Sequence, residues 1–114
     1  MRAWKRSLIS LNISKELSLL GLAAKAGRVV SGEFATEKAV KAGKARLVLV
    51  AGDASDNSRK KFSDMCAYYK VPVYFVGTKE ELGGAIGKDY RASLGVTDDN
   101  FAVAMKKKLE QMGK

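Results

Sequence analysis

Apolar residues recur along this chain with two periods, and the period changes at glycines. Leu17, Leu20 and Ala24 fall on one face of a helix, with Lys15, Glu16 and Lys25 off that face. Ser14 is placed to cap its start and Gly27 to end it. Val29 and Val30 form a brief strand. A second helix runs from about Glu33 to Ala42, supported by a Glu37–Lys41 pair in the favourable order and stopped by Gly43. Leu47–Ala51 is a continuous apolar run, the mark of a strand covered on both faces. After the turn Gly52-Asp53-Ala54-Ser55-Asp56-Asn57, Phe62, Met65, Cys66 and Tyr69 recur at helical spacing, with Arg59, Lys60 and Lys61 expected in that helix's first turn.

Pro72 opens a third strand, Val73–Val76, at a place where a missing N–H is tolerated. Thr78 with Glu81 has the spacing of a capping box for a helix over about Lys79–Ile86. That helix contains Gly83 and Gly84, each costing about 1 kcal/mol relative to alanine. A close-packed backbone or ligand would account for them, as would simple helix–sheet packing. A fourth strand, Arg91–Thr97, places Ala92, Leu94 and Val96 inward. Asp98 caps a last helix, Asp99–Met112, whose stripe is Phe101, Met105, Leu109 and Met112. Strands alternating with helices predict one α/β domain, with a small parallel or mixed sheet between helical layers. Residues 1–13 read as an N-terminal extension and residues 14–114 as the domain.

Composition narrows the function. The 114 residues carry a net charge of +9 with 46% hydrophobic residues, enough for one core and a basic surface. Basic balance in so small a domain favours a polyanionic partner, and nucleic acid and an anionic membrane surface both fit it. No apolar run reaches the roughly 18–20 residues of a membrane span. The apolar stretch near the N-terminus is too short and broken for a signal peptide, so a cytoplasmic location is expected. Cys66 is the single cysteine, which rules out an internal disulfide, and it falls on an apolar helical stripe. There is no histidine, which removes the commonest general base and metal ligand. The glycines match neither a dinucleotide fingerprint nor a phosphate loop. Asp53 at a strand end suits a turn better than a catalytic role. No enzyme, cofactor or metal is expected.

The candidate chemistry lies between Gly27 and Gly52. Ser31 and Gly32 sit where a helix opens, and such an end presents unpaired N–H groups and partial positive charge. Lys38 and Lys41 follow on that helix and Arg28 precedes it. A solvated basic helix face gives the same pattern, so this stretch alone leaves the two readings open.

Two stretches together carry a resemblance. One is Gly27–Gly52, with Val29-Val30-Ser31-Gly32-Glu33, Lys38, Gly43-Lys44-Ala45-Arg46 and Leu47-Val48-Leu49-Val50. The other is Leu82-Gly83-Gly84-Ala85-Ile86-Gly87-Lys88-Asp89-Tyr90-Arg91-Ala92. With the Asp53–Asn57 turn, the chain resembles the kink-turn RNA-binding ribosomal proteins of the seven-Ae and thirty-e type, and within them the bacterial YlxQ-like branch, from about Ser14 to Ala104.

The resemblance implies a three-layer α/β/α sandwich around a four-stranded mixed sheet, with RNA bound at one end of the sheet and no catalysis. It implies that Gly32 opens the binding helix beside Glu33, with Lys41 further along it. Lys38 would contact the backbone or a guanine edge, and Arg28 a phosphate. Tyr90, flanked by Lys88 and Arg91, would occupy the recognition loop. Ribosomal or other structured RNA is the expected partner, with the ribosome as one setting and neither membrane nor small-molecule substrate. Relatives carry a polar pair where this chain has Phe34 and Ala35, neither of which can hydrogen-bond a base edge. Phe34 fits either a core position or a stacking face for an unpaired base. The rival reading is a protein-interaction module of the same fold, working with the ribosome or the transcription and translation machinery.

Overall fold

The computed structural model describes residues 17–112. The proposed extension and the Ser14 cap lie outside them. Helix α1 is described over 17–25. It is followed by β1 (Val29–Ser31), α2 (Glu33–Lys41), β2 (Leu47–Val50), α3 (Asp56–Tyr69), β3 (Val73–Phe75), α4 (Lys79–Ala85), β4 (Ser93–Val96) and α5 (Asp99–Met112). The strands form one sheet in the order β1-β4-β2-β3. β4 is antiparallel to both β1 and β2, and β2 is parallel to β3, so the sheet is mixed. Helices α2 and α3 cover one face. On the other, α4 and α5 pack on β4, and α1 approaches α4 so closely that a Cβ at Gly21 would lie 3.0 Å from the Ala85 carbonyl oxygen.

The central position of β4 and β2 explains their burial. All four residues of β2 are buried, as its unbroken apolar run requires. β4 is also buried throughout, on both faces rather than only at Leu94 and Val96. Its other face carries Ser93 and Gly95, and a Cβ at Gly95 would sit 3.0 Å from Val30 Cγ2 and 3.6 Å from Thr36 Cγ2. Small residues thus let α2 lie directly on the strand. The three extra residues expected at the ends of this strand, Arg91 and Ala92 before it and Thr97 after it, belong to loops.

The core joins Leu20 and Ala23 from α1, Val40 from α2, Phe62 and Cys66 from α3, Leu82 from α4 and Met105 and Leu109 from α5 to the strands. Cys66 is a buried free thiol that burial pushes up to about 11. The helical stripe of α3 is narrower than expected. Phe62 and Cys66 are buried, but Tyr69 is exposed and packs edge-to-face on the exposed Tyr68, ring centroids 4.9 Å apart. The capping box is present at α4, with Thr78 and Glu81 each bonding the other's backbone N–H. Asp98 Oδ1 accepts from Asn100 N at 2.7 Å and caps α5.

Candidate nucleic-acid interface

Register fixes which residues share an end of the sheet. Ser31 pairs with Leu94, and the Gly32 N–H donates to the Ser93 carbonyl at 3.0 Å. The chain leaving β1 therefore meets the chain entering β4. Arg91 ties the two together, its Nε donating to Ser31 Oγ at 3.2 Å and its Nη1 to the Tyr90 carbonyl at 2.6 Å. Because β4 is antiparallel to β2, Ser93 also pairs with Val50, and the Asp53 turn lies at this end. Asp53 Oδ1 accepts from the Lys79 N–H at 2.9 Å, and the Lys79 carbonyl accepts from Arg91 N at 3.0 Å. Asp53 is thus a brace between two loops and the start of α4.

Gly32 is the N-cap of α2, with φ 92° and ψ 157° and no side-chain cap. That conformation belongs almost wholly to glycine. A Cβ placed on Gly32 meets nothing within 4 Å, so the helix opens onto free space. The first N–H groups of α2 lack intrahelical partners, as at any helix start, and here no side chain takes them.

Phe34 is 80% exposed. Of its two expected places the structure rules out the core. It lines an open groove of about 460 Å³ on the outer face of α2, with Glu37, Lys38, Lys41 and Ala42. The α2 residues that face the core are Thr36, Ala39 and Val40. Lys38 is exposed, while Lys41 Nζ is held 2.8 Å from Glu37 Oε2.

The α4–β4 loop carries the second group of candidates. Tyr90 is 61% exposed, and Lys88 is also exposed. The loop is folded back on α4, the Lys88 N–H donating to the Gly83 carbonyl at 2.8 Å. Gly83 is where the two backbones touch: a Cβ there would lie 2.8 Å from the Asp89 carbonyl oxygen and 2.9 Å from Tyr90 Cα. Another backbone, not a ligand, accounts for this glycine. At Gly84 the same Cβ meets nothing within 4 Å.

Arg28 stands apart. It precedes β1, so it lies at the opposite end of that strand from Gly32. Its carbonyl accepts from the N–H of Thr97 at 2.8 Å and its Nε is 3.7 Å from Asp98 Oδ2. A strand of three residues separates the two ends by about 10 Å. The expected convergence thus takes in Gly32, Glu33, Phe34, Lys88, Tyr90 and Arg91, with Lys38 and Lys41 along α2, but not Arg28.

The basic cluster of α3 also differs from expectation. Ser55 is the N-cap and Asp56 the first residue, so Arg59, Lys60 and Lys61 fall beyond the first turn. Arg59 pairs with Asp56. Lys61 bridges α3 to α2, with Nζ 2.6 Å from Glu37 Oε1 and 3.2 Å from Glu33 Oε2, and Ser58 Oγ donates to Glu33 Oε1 at 2.8 Å. Ser58 and Lys61 were not legible as neighbours of the site, since only the packing of α3 on α2 brings residues 25 and 28 positions away to Glu33.

This network perturbs its own titration. Glu37 is brought from an ordinary 4.5 down to about 2, first by the hydrogen bond from Lys41 and then by that from Lys61. Glu33 is lowered first by the Ser58 hydroxyl and then by Lys61, while Lys61 is raised first by Glu37 and then by Glu33. A carboxylate whose pKa is lower in the folded state stabilises the fold above its unfolded value and loses that contribution as pH falls through its folded value. The raised lysine contributes below 10.5 and loses its contribution only as pH rises beyond that. The denaturant midpoint should therefore drop between about pH 4.5 and 2, more gently at high salt because the groups are exposed. Glu37→Gln should flatten that drop in urea titrations across the range. An unchanged drop in the variant would assign it to other carboxylates.

Among the described residues, no group of three or more His, Cys, Asp or Glu is placed to hold a metal ion. No helix among them is long and apolar enough to cross a membrane.

Comparison with known proteins bears on this geometry. Over 84 residues the chain is 49% identical to the RNA-binding protein YlxQ of Bacillus subtilis (strain 168), covering 74% of this chain and 84% of that one. A solved structure of a protein of unknown function from Bacillus halodurans superposes with a TM-score of 0.82 at 42% identity, covering 84% of this chain and 97% of the other. The 15.5kD RNA binding protein of Giardia lamblia superposes with a TM-score of 0.74 at 26% identity, covering 91% and 89%. Two of these three names describe RNA-binding proteins, and none describes an enzyme. The ribosomal protein L7Ae/L30e/S12e/Gadd45 family matches residues 15–106, nearly the whole described chain, and to that family this protein belongs.

Proposed function

We propose that this protein binds structured RNA, without catalysis, at the end of the sheet where α2 opens beside the α4–β4 loop. The observation that carries the reading is the tie across the β1–β4 register, in which Arg91 Nε donates to Ser31 Oγ and the Gly32 N–H donates to the Ser93 carbonyl. It sets an uncapped helix start beside an exposed tyrosine and cations. The RNA-binding relatives supply the partner class.

The mechanism follows from each group's chemistry. The open first-turn amides that follow Gly32 donate to a phosphate, and Gly32 lets the RNA backbone approach without meeting a side chain. Lys38, Lys41, Lys88 and Arg91 neutralise neighbouring phosphates and release counterions. Tyr90 stacks on an extruded base. Phe34 replaces base-edge hydrogen bonding with a stacking face, so the RNA is selected by shape and by unpaired bases. A kink-turn-like RNA, ribosomal or otherwise, presents both features. The proposed setting is the cytoplasm, with the ribosome as a site of action.

The test is fluorescence anisotropy with a kink-turn hairpin and an uninterrupted duplex at two salt concentrations. Tighter binding of the hairpin at both is expected, and equal affinity would sink the shape reading. Lys38→Ala and Lys88→Ala should each weaken binding to every RNA by a similar factor and reduce the salt slope by about 1. Arg28→Ala should have a smaller effect on both quantities. A loss for Arg28→Ala as large as for Lys38→Ala would move the interface towards the other end of the sheet.

One observation favours the rival reading of a protein-interaction module. Tyr68, 80% exposed, and Tyr69 lie at the end of α3 remote from Gly32, beside a groove of about 350 Å³ lined by Lys41, Arg46, Lys70 and Pro72. Absence of any salt-sensitive RNA binding by the intact chain would favour that reading.

A further inference from the structure

Glu33, the first residue of α2, carries a charge that works against the proposed site. A carboxylate at a helix start is drawn to its unpaired amides and positive end, so it competes with a phosphate for the same groups. The side chain is instead engaged with the neighbouring helix. Its Oε1 accepts from Ser58 Oγ at 2.8 Å and its Oε2 lies 3.2 Å from Lys61 Nζ, and both partners belong to α3. Lys61 is anchored a second time, 2.6 Å from Glu37 Oε1, and Glu37 is itself held by Lys41 at 2.8 Å. The lysine is therefore committed to two carboxylates, and its charge is spent within the protein.

We infer that Ser58 and Lys61 are positioning residues for RNA binding: they hold the Glu33 carboxylate across the α2–α3 seam, away from the amides that Gly32 leaves open. The inference rests on the RNA-binding reading above and adds to it two residues that touch no RNA. Without them Glu33 turns back to its own helix start, where it blocks the amides and repels the incoming phosphate.

The arrangement is testable by a double-mutant cycle in the full chain, with the kink-turn hairpin as probe. Lys61→Ala should weaken binding roughly two- to fivefold, the span an exposed ion pair can carry. In a Glu33→Gln background the same change should have no effect, and Glu33→Gln alone should tighten binding. Ser58→Ala, which removes one hydroxyl, should weaken binding in the same Glu33-dependent way and stands in where Lys61→Ala loosens the helix pair, as read by its thermal midpoint. An equal loss from Lys61→Ala in both backgrounds would make Lys61 a direct RNA contact and overturn the inference. So would no loss at all, or weaker binding by Glu33→Gln, which would make Glu33 an acceptor for the RNA. In each of these cases the wild-type chain still binds RNA and the proposed function stands. A wild-type chain without salt-sensitive RNA binding overturns both.

Discussion

Gly83→Ala lowers both the thermal midpoint and RNA affinity, while Gly84→Ala, one residue later, raises the midpoint and leaves affinity unchanged. The two glycines share a helix and a sequence context, so propensity alone predicts the same gain of about 1 kcal/mol for each. Space separates them. The new methyl at Gly83 would stand 2.8 Å from the Asp89 carbonyl oxygen and 2.9 Å from both the Asp89 carbonyl carbon and Tyr90 Cα. All three are backbone atoms, which cannot turn aside as a flexible side chain does. Overpacking of this kind costs about 1–3 kcal/mol, and set against the propensity gain of about 1 kcal/mol it leaves a net loss of up to about 2 kcal/mol. At roughly 4 °C for each kcal/mol in a domain of this size, calorimetry resolves it. The displacement falls on the segment that carries Tyr90, which is why affinity falls with it. At Gly84 nothing lies within 4 Å, so alanine there stabilises the fold by about 0.5–1 kcal/mol. Equal midpoints for the two variants would show that the α4–β4 loop is not held against Gly83.

Tyr90→Ala reduces affinity selectively. Loss of one base–aromatic stack costs about 1–3 kcal/mol, or roughly 5- to 150-fold in the dissociation constant. The loss should appear with an RNA that has an unpaired base and shrink when that base is paired. Tyr90→Phe keeps the ring and should keep most of the affinity. Stability should hardly move, because the side chain is 61% exposed and its truncation opens no cavity. Anisotropy titrations with the two RNAs separate this from an electrostatic role, and equal losses on both would remove Tyr90 from any base-stacking role. The contrast with Lys38→Ala is physical. A lysine contacts phosphates that every RNA has, whereas a ring needs a base released from its own stack.

The elements were largely legible because each has a local cause. The Thr78–Glu81 box, the Asp98 cap and the stops at Gly27 and Gly43 are set by hydrogen bonds that span two to five residues. The apolar run of β2 announced a strand buried on both faces. Where local reasoning missed, packing had decided. Ser93 is 1% exposed although it is polar, because β4 lies between β1 and β2 with helices on both faces. Tyr69 continues a helical stripe yet stays exposed, its ring set against the exposed Tyr68 rather than the core.

The candidate site divides the same way. Its chemistry, an uncapped glycine helix start followed by cations, and a tyrosine between Lys88 and Arg91, is written along the chain. Its membership is not. Arg28 lies only four positions before Gly32 but at the other end of β1, and Lys61 lies 28 positions from Glu33 yet bonds it.

What the sequence by itself determined is the order and kind of the elements, the excess of positive charge, and the residue types available for RNA. Each of these depends on near neighbours or on totals. Only the tertiary structure decided that Phe34 faces solvent, that Gly83 yields its Cβ space to another backbone, and that a serine and a lysine of α3 hold the one acid at the opening of α2. These depend on strand register and on which helix packs beside which. Contacts of that kind gain their energy from surfaces far apart in the chain, and no periodicity records them.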